Sequence, residues 1–328
     1  MLQFYDQFGR KDLPWQLNKT AYSVWVSEVM LQQTQVKTVI PYYLKFMKSF
    51  KSVESLADAN IDEVLKLWEG LGYYSRARNL HTCAKRVTNE FKGEFPKTLD
   101  QIISLPGIGE STGGAVLSLA YGLPEAILDG NVKRVLARVF LIDGWYGNTK
   151  VSKELWKLSR KYTPNKRTGD FNQAMMDLGA GICNRANPQC DICPLAKSCG
   201  ANLHNKTEEY PHRKPKKQIP IKHVNMLLNS KDQQILLHKR PPSGIWGGLW
   251  SLPELQDTKP KAENVAGKFK HTFSHYHLNA TVVFPVKIQQ KSYQIEDNTE
   301  LAWHNIEQVK ELALPTPIKK FLSDYFNL

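Results

Sequence analysis

The stretch from Leu105 to Arg134 constrains the fold more than any other part of the sequence. It begins with Leu105-Pro106-Gly107-Ile108-Gly109, a glycine-containing turn directly before a helical pattern. Backbone amides at a helix N-terminus bind phosphate, so this turn predicts a phosphate contact. The stretch then places Asp129 at the start of a second helix, where the helix dipole and the cations that follow should keep it ionised. Asn131 is the better candidate for the residue that caps this helix.

Residues 1–201 have the pattern of a helical domain. Apolar residues recur at helical spacing, and short turns of glycine and proline separate the segments. The predicted helices are Val24–Val36, Ile61–Leu67, Leu80–Phe91, Glu110–Tyr121, Val132–Leu141 and Leu155–Tyr162. We therefore predict an all-α domain over residues 1–201.

The pattern changes near residue 202. Residues 202–221 contain prolines together with several lysines and an arginine, a composition typical of a basic linker. Strand-like runs and two helical patterns follow, at Val224–Leu228, Ile235–Lys239, Thr281–Ile288, Asn305–Leu312 and Pro317–Tyr325. We therefore predict a smaller α/β domain over residues 222–328.

The charge balance favours a polyanionic partner. The 328 residues carry a formal net charge of +13, from 44 lysines and arginines against 31 aspartates and glutamates. A basic excess suits nucleic acid but says nothing about the fold. No apolar run approaches the roughly 18 residues of a membrane span, and the N-terminus shows no signal-peptide pattern. We expect a soluble cytoplasmic monomer with no membrane partner.

Four of the five cysteines lie close together, in the pattern Cys183-x6-Cys190-x2-Cys193-x5-Cys199, and Cys83 stands apart. Such clustering in a chain without an export signal favours a metal site over disulfides. Four thiolates from one short loop can hold either zinc or a 4Fe–4S cluster. The single Cys-x2-Cys pair favours iron–sulfur over a zinc ribbon, and free thiols are the third alternative.

Two carboxylates are candidates for catalysis. Glu28 lies in a helical pattern that is apolar on most sides, so the helix should be buried and the pKa of the carboxyl raised. A carboxyl of this kind can act as a general acid at neutral pH. A protonated Glu28 beside an ionised Asp129 suits a reaction through an oxocarbenium ion. The alternatives are a Glu28 paired with an arginine and an Asp129 that only forms or caps its turn.

Five segments of the first 200 residues resemble the MutY family of adenine DNA glycosylases. They are 27–36 (SEVMLQQTQV), 70–80 (GLGYYSRARNL), 105–109 (LPGIG), 128–138 (LDGNVKRVLAR) and 171–179 (FNQAMMDLG), and the cysteine spacing is also similar. The resemblance implies a helix–hairpin–helix fold of the endonuclease III superfamily with one 4Fe–4S cluster on the four clustered cysteines. It also implies excision of adenine mispaired with 8-oxoguanine or guanine in double-stranded DNA, as a step of base excision repair.

The same resemblance implies roles for three residues near the reacting sugar. Glu28 matches the acid that protonates adenine at N7. Asp129 matches the carboxylate that stabilises the sugar cation, either through its charge or through a transient covalent bond. Asn131 matches a helper that lies near the sugar and near Asp129.

Further matching residues are predicted to contact DNA. Gln32, Gln33 and Tyr73 match residues that enter the double helix around the lesion. An adenine inside a duplex must be flipped out before it can react, and a wedge side chain can fill the gap. Gln33 and Tyr73 are the candidates for that wedge. The amides of Gly107 and Gly109 are expected to anchor the phosphate backbone.

Ser111, a predicted DNA-binding residue at the start of the helix that follows the glycine turn, stands where the bifunctional glycosylases of the endonuclease III type carry a Schiff-base lysine. A lysine amine can attack C1′ and lead to strand cleavage, whereas a serine cannot form that imine. The resemblance therefore implies a monofunctional enzyme. The alternatives are a bifunctional glycosylase and lyase for oxidised pyrimidines and a non-catalytic DNA-binding iron–sulfur protein.

The C-terminal part resembles the Nudix-like domain of the same family, through residues 240–250 and 271–277. The second run matches the loop that checks for 8-oxoguanine, with Phe273, Ser274 and His275 at its centre. Nudix hydrolases need a glutamate-rich metal box, and no such box follows Trp250. We therefore expect this domain to recognise a base rather than to hydrolyse a nucleotide, which excludes a nucleotide pyrophosphatase.

Overall fold

The computed structural model describes residues 1–215, 218–255, 260–285 and 300–328. The chain divides into two compact units. The first, which we call the helical unit, comprises Met1–Asp58 and Thr82–Lys216. The second, which we call the sheet unit, comprises Ala59–His81 and Lys217–Leu328. Residues 216–217 of the predicted linker and residues 286–288 of a predicted strand lie outside the described residues.

The first two-thirds of the chain consist of helices joined by short turns. They are α1 (Leu2–Phe8), α2 (Pro14–Leu17), α3 (Ala21–Leu31), α4 (Val36–Ser49), α5 (Val53–Asp58), α6 (Ile61–Leu67), α7 (Ser75–Phe91), α8 (Leu99–Ile103), α9 (Glu110–Tyr121), α10 (Gly130–Val139), α11 (Thr149–Tyr162), α12 (Thr168–Asp177) and α13 (Gly200–Leu203). A π-helical turn, Leu178–Ile182, and two 3-10 turns, Cys190–Ile192 and Ala196–Ser198, precede α13. Among the described residues, no helix is both long and apolar enough to cross a membrane.

The predicted helices Ile61–Leu67 and Glu110–Tyr121 have the observed bounds. The predicted helix Val24–Val36 is wrong at its C-terminal end. The chain leaves α3 after Leu31, and Gln33 adopts a left-handed φ of 59° before α4 begins. The apolar pattern continues across this turn because both helices face the same core, which is why periodicity alone merged them.

The core of the helical unit brings α3 and α9 together. Trp25 on α3 is fully buried and packs against Phe95, with ring centroids 5.1 Å apart. Gly114 on α9 has a specific reason to be glycine, since a Cβ there would lie 2.2 Å from the carbonyl oxygen of Ala126. This close approach brings the chain that enters α10 directly against α9.

The sheet unit contains eight strands in its described residues. They are β1 (Ile221–Leu227), β2 (Ser230–Lys231), β3 (Gln234–Lys239), β4 (Trp250–Ser251), β5 (Glu254–Leu255), β6 (Val265–Thr272), β7 (His277–Val283) and β8 (Glu300–Asn305). One sheet has the order β5-β1-β7-β6, in which β1 and β7 run parallel and the other neighbours run antiparallel. In the other sheet, β3 pairs with β2, β4 and β8, always antiparallel.

A C-terminal helix, α14 (Thr316–Phe326), covers the first of these sheets. Its Phe321 packs on Phe269 of β6 at 6.0 Å between ring centroids. The helix predicted over Asn305–Leu312 is a 3-10 helix at Ile306–Glu311, so that prediction was wrong in type. The Asn305 side chain caps this six-residue helix by accepting a hydrogen bond from the backbone amide of Glu307. Such short segments favour the 3-10 helix over the α-helix.

Candidate active site

Glu28 lies where a buried helix reaches accessible space. Helix α3 begins with a reciprocal capping box between Thr20 and Ser23, which fixes its first turn. Nine of the ten residues from Ala21 to Met30 are buried, and Glu28 is the exception. The protein around its carboxyl nevertheless raises the pKa of Glu28 to about 8, by desolvation first and then by the negative charge of Asp129. Among the described residues, no ion pair involves Glu28.

Asp129 caps α10. Its Oδ1 accepts a hydrogen bond from the Val132 amide at 2.8 Å, and its Oδ2 accepts one from Nδ2 of Asn131 at 3.0 Å. The prediction that Asn131 is the capping residue was therefore wrong. Burial raises the pKa of the Asp129 carboxyl, while these hydrogen bonds and the charge of Arg134 act in the opposite direction. The expectation based on dipole and cations alone left out this desolvation.

Asn131 is held from two sides. The Arg134 guanidinium donates hydrogen bonds to Oδ1 of Asn131 at 2.8 Å and to the carbonyl oxygens of Gly179 and Cys183 at 2.6 and 2.7 Å. Gly179 packs so closely that a Cβ there would lie 2.5 Å from Cβ of Asn131. With its oxygen on Arg134, the Asn131 amide group must direct its nitrogen to Asp129. The positioning roles of Arg134 and Gly179 were missed in the sequence, where no local pattern links them.

The turn between α8 and α9 carries the two glycines that are predicted to contact phosphate. Gly107 has a φ of 77°, a left-handed conformation that favours glycine. Gly109 caps α9, and a Cβ at this position would meet no atom within 4 Å. Both glycines are exposed, so the start of α9 is open to a ligand.

Ser111 connects this turn to the residue before Asp129. Its Oγ accepts a hydrogen bond from the Leu128 amide at 3.0 Å. One turn along α9 from the glycines, Thr112 accepts a long hydrogen bond of 3.4 Å from the Gln32 side chain. The sequence resemblance identifies Ser111 only as the residue that stands in place of a lysine. The structure adds its hydrogen bond from the Leu128 amide.

The two candidate wedge residues share an uncommon backbone conformation. Gln33, in the helical unit, is exposed and has a φ of 59°, and Tyr73, in the sheet unit, is 49% exposed with a φ of 47°. Left-handed residues other than glycine are uncommon and cluster at functional sites. The Tyr73 turn is held by Arg76, which donates to the carbonyl oxygens of Leu71 and Gly72 at 3.1 and 3.3 Å.

The candidate lesion-recognition residues form the turn between β6 and β7. The Phe273 amide donates to the carbonyl oxygen of Tyr276 at 2.9 Å, which closes the turn. Ser274 and His275 are exposed at its tip, with Oγ of Ser274 3.4 Å from Nδ1 of His275. Phe273 faces inward and contacts Trp246, with ring centroids 5.3 Å apart.

The four clustered cysteines line one pocket together with Arg138. All five cysteines are unbridged, and burial raises the pKa of Cys190 and Cys193, with a further contribution from the neighbouring cysteines. Arg138 is only 2% exposed and donates to Sγ of Cys183 at 3.3 Å. Its other hydrogen bonds reach the carbonyl oxygens of Asn184, Arg185, Thr207 and Tyr210. Within the described ranges, no three His, Cys, Asp or Glu residues are gathered to hold a single metal ion.

Comparison with known proteins gives the same division of the chain. Residues 26–161 match the model of the HhH-GPD superfamily of base excision DNA repair proteins, and residues 224–324 match that of the NUDIX domain. An adenine DNA glycosylase of Buchnera aphidicola (subsp. Acyrthosiphon pisum, strain APS) is 41% identical over 99% of this chain and 96% of its own length.

Two solved structures are similar to the helical part of the chain. A thermostable thymine-DNA glycosylase is 30% identical, with a TM-score of 0.54 over 62% of this chain and 93% of that one. The protein of a non-covalent endonuclease III–DNA complex is 22% identical, with a TM-score of 0.53 over 62% and 94%, which shows the shared fold. The predicted helix–hairpin–helix fold and the C-terminal Nudix-like domain are confirmed, and the chain belongs to the family of adenine DNA glycosylases.

Proposed function

We propose that this chain is a monofunctional DNA glycosylase that removes adenine mispaired with 8-oxoguanine or guanine in base excision repair. The curated relatives carry the name adenine DNA glycosylase over nearly the full length of the chain, which supports DNA as the partner and adenine as the leaving base. The observation that carries the mechanism is the pair of carboxyls on Glu28 and Asp129. The two lie within electrostatic reach of each other, and burial raises both pKa values.

Binding precedes the chemistry. Gly107 and Gly109 are exposed, and their amides bind a DNA phosphate, a contact that positions the strand without reading its sequence. The adenine nucleotide then leaves the stack, at a cost of about a few kcal/mol that a mispair lowers. The exposed side chains of Gln33 and Tyr73 are the candidates to fill the resulting gap.

In the chemical step, the neutral Glu28 carboxyl donates its proton to N7 of adenine. The N-glycosidic bond then breaks, its electron pair leaves with adenine, and the sugar becomes an oxocarbenium ion. The Asp129 carboxylate stabilises this cation: two unit charges about 4 Å apart interact by roughly 4 kcal/mol at an effective dielectric constant near 20. Water adds to C1′ and passes a proton to the Glu28 carboxylate, which restores the neutral acid and leaves an abasic site in an intact strand. Asn131 keeps the Asp129 carboxylate in place.

Ser111 supports the monofunctional outcome. A serine hydroxyl cannot form an imine at C1′, so the strand is not cleaved through a Schiff base. Its Oγ is engaged by the Leu128 amide, which fits a positioning role at the reacting sugar.

We further propose that Cys183, Cys190, Cys193 and Cys199 hold one 4Fe–4S cluster. The donor set fits, since four thiols from one short loop line one pocket. Arg138 fits as well, because a buried guanidinium beside Cys183 offsets the negative charge of thiolate ligands. When bound, the cluster supplies a covalent cross-link for the loop that follows α12, and no step of the excision passes through it.

The cofactor proposal is tested by measuring iron and acid-labile sulfide per chain. Cys193→Ser should lose most of both, whereas Cys83→Ala should keep the wild-type content. Cys83 is the matched control because it is fully buried on α7, its pKa raised by burial to about 12. Zinc in place of iron, or equal loss of iron in both variants, would contradict the assignment.

The function is tested by single-turnover kinetics on duplexes that carry A opposite 8-oxoguanine, A opposite guanine and T opposite 8-oxoguanine. We expect adenine release from the first two duplexes, no release from the third, and strand breaks only after heat and alkali. Borohydride trapping at stoichiometric yield would favour the bifunctional alternative. DNA binding without release of any base would favour the non-catalytic one.

A further inference from the structure

We propose that Trp246 and Arg78 are positioning residues that set the lesion-recognition turn, Phe273–His275, and thereby determine how well the enzyme distinguishes 8-oxoguanine from guanine. This inference rests on the proposed function. All the residues concerned belong to the sheet unit, which includes the segment Ala59–His81. Neither Trp246 nor Arg78 was singled out by the sequence.

Trp246 is the support beneath the recognition turn. Its side chain is 8% exposed and its ring centroid lies 5.3 Å from that of Phe273 and 5.7 Å from that of His271. Phe273 and His271 also pack on each other edge-to-face at 4.5 Å. The exposed tip, Ser274 and His275, therefore extends from a base of three packed rings. Aromatic contacts of this kind have preferred geometries, so they fix orientation as well as burying area.

The loop that carries Trp246 is itself under constraint. Trp246 has a left-handed φ of 57°, which a bulky residue adopts only when its surroundings hold it there. Two arginines hold the adjacent backbone: Nη1 of Arg78 donates to the carbonyl oxygen of Gly247 at 2.6 Å, and Nε of Arg240 donates to that of Ile245 at 3.0 Å. The Arg78 bond is charge-assisted, and burial lowers the pKa of this arginine, which indicates a partly desolvated contact.

Arg78 also connects the recognition turn to the Tyr73 turn. It lies on α7, which begins at Ser75, two residues after Tyr73. A continuous path of contacts therefore leads from α7 through Gly247 and Trp246 to Phe273. Tyr73, Arg78, Trp246 and the recognition turn line one cavity of about 480 Å³. The distance between Ser274 and the other side chains that a bound base would contact in this cavity therefore depends on the contacts of Arg78 and Trp246.

Such a path should affect specificity more than rate. Neither Trp246 nor Arg78 carries a group that the proposed chemistry uses, and a displaced turn loses contacts only with a base that it recognises. We expect Trp246→Leu and Arg78→Met each to lower the preference for 8-oxoguanine over guanine opposite adenine about tenfold, the size expected for one well-placed charge-assisted contact. The excision rate constant on A opposite guanine should change less than about threefold. Trp246→Phe should restore most of the preference because it keeps a ring against Phe273.

The experiment compares the ratio of single-turnover rate constants on the two duplexes for the iron-loaded full chain, with thermal unfolding of each variant as a second measurement. Two controls are matched to the variants. Trp250→Leu removes a buried tryptophan of the same unit that packs on His304 instead. Lys239→Met removes a cation that ties β3 to Asp62 of the same unit at 2.7 Å and that lies 5.5 Å from the ring centroid of Trp250. Both controls should keep the wild-type preference.

Failure of this inference is distinguishable from failure of the proposed function. If the wild-type chain releases no adenine or shows no preference, the proposed function fails. If the wild-type preference is present and Trp246→Leu and Arg78→Met retain it, the positioning role is wrong. An equal loss of preference in Trp250→Leu and Lys239→Met would also overturn it, because a general loosening of the sheet unit would then be the cause.

Discussion

The two candidate sites place their functional side chains in opposite environments. In the helical unit, Glu28 and Asp129 are half-buried, and desolvation raises the pKa of both carboxyls. In the sheet unit, Ser274 and His275 are exposed at the tip of a turn, and the protein closes only around the aromatic residues beneath them. Desolvation of carboxyls distinguishes the first candidate site, and exposure of polar side chains distinguishes the second.

This difference follows from what each site must do. A proton donor at neutral pH needs an environment that disfavours its charged form, and only dense surrounding protein provides one. A residue that reads a base in DNA must remain accessible until the DNA arrives, so its position has to be fixed from below. The catalytic site should therefore be intolerant of isosteric changes, whereas the recognition site should lose selectivity gradually.

The first prediction tests this intolerance. Glu28→Gln and Asp129→Asn keep the shape of each side chain and remove only its acid or its charge. Each should slow adenine excision at least about a hundredfold in single-turnover kinetics, because a proton donor or an electrostatic stabiliser of the transition state is lost. Binding of the substrate duplex should remain.

Glu125→Gln is the matched control for the carboxyl variants. Burial raises the pKa of Glu125 too, but the groups that interact with it are Glu110, Arg160 and Asp100 rather than the catalytic pair. Its excision rate should be close to that of the wild type. Near-normal rates in Glu28→Gln or Asp129→Asn would remove that residue from the mechanism and end the contrast between the two sites.

The second prediction uses pH. Because the pKa of Glu28 is about 8, the donor is protonated at lower pH, and the excision rate constant should fall about tenfold per pH unit above that value. The same shift affects stability. A carboxyl whose pKa is raised on folding contributes stability below its unfolded pKa, and loses that contribution as the pH rises through its folded pKa.

Glu28→Gln removes this titration and should therefore unfold at a higher temperature than the wild type at pH 9, a difference that disappears at pH 4. Thermal unfolding of the wild type and the variant across this range measures it. A pH-independent difference between the two proteins would mean that folding does not shift the pKa of Glu28, and that burial does not tune the catalytic site.

Features of the fold and of the candidate sites could be predicted where they depend on residues close together in the sequence, and were missed where they depend on residues far apart. Ile61–Leu67 and Glu110–Tyr121 were predicted with the observed bounds because their apolar periodicity is local. The capping of α10 by Asp129 was missed, since aspartate and asparagine are about equally good caps and the choice depends on where the helix begins, which is at Gly130.

The membership of Ala59–His81 in the sheet unit had no signal in the sequence at all. Its ties are long-range, such as the ion pair of Asp62 with Lys239 and that of Glu69 with Lys319, which lies 250 residues further along the chain. No periodicity or spacing reports such contacts. For the same reason, the support beneath the recognition turn became visible only in three dimensions.

The third prediction concerns the exposed site. The double variant Ser274→Ala and His275→Ala should lower the preference for 8-oxoguanine over guanine opposite adenine about thirtyfold, since each of the two lost hydrogen bonds to a base is worth roughly 1 kcal/mol. Excision from A opposite guanine should persist. His223→Ala with Ser230→Ala removes an equally exposed histidine and serine of the same unit and should leave the preference intact. An unchanged preference in the first double variant would refute the recognition role.

The fourth prediction has the smallest expected effect and tests whether a residue beside the catalytic carboxyls acts only by positioning the backbone. Ser111→Ala removes the acceptor for the Leu128 amide and should lower the free energy of unfolding by about 1 kcal/mol. Excision should slow only a few-fold, because Asp129 keeps its own hydrogen bonds from Val132 and Asn131. Ser104→Ala, in the same hairpin, loses only a local bond to Gln101 and should change neither quantity. A loss in Ser111→Ala as large as in Asp129→Asn would show that the catalytic site depends on a serine at this position for its chemistry, beyond holding Leu128.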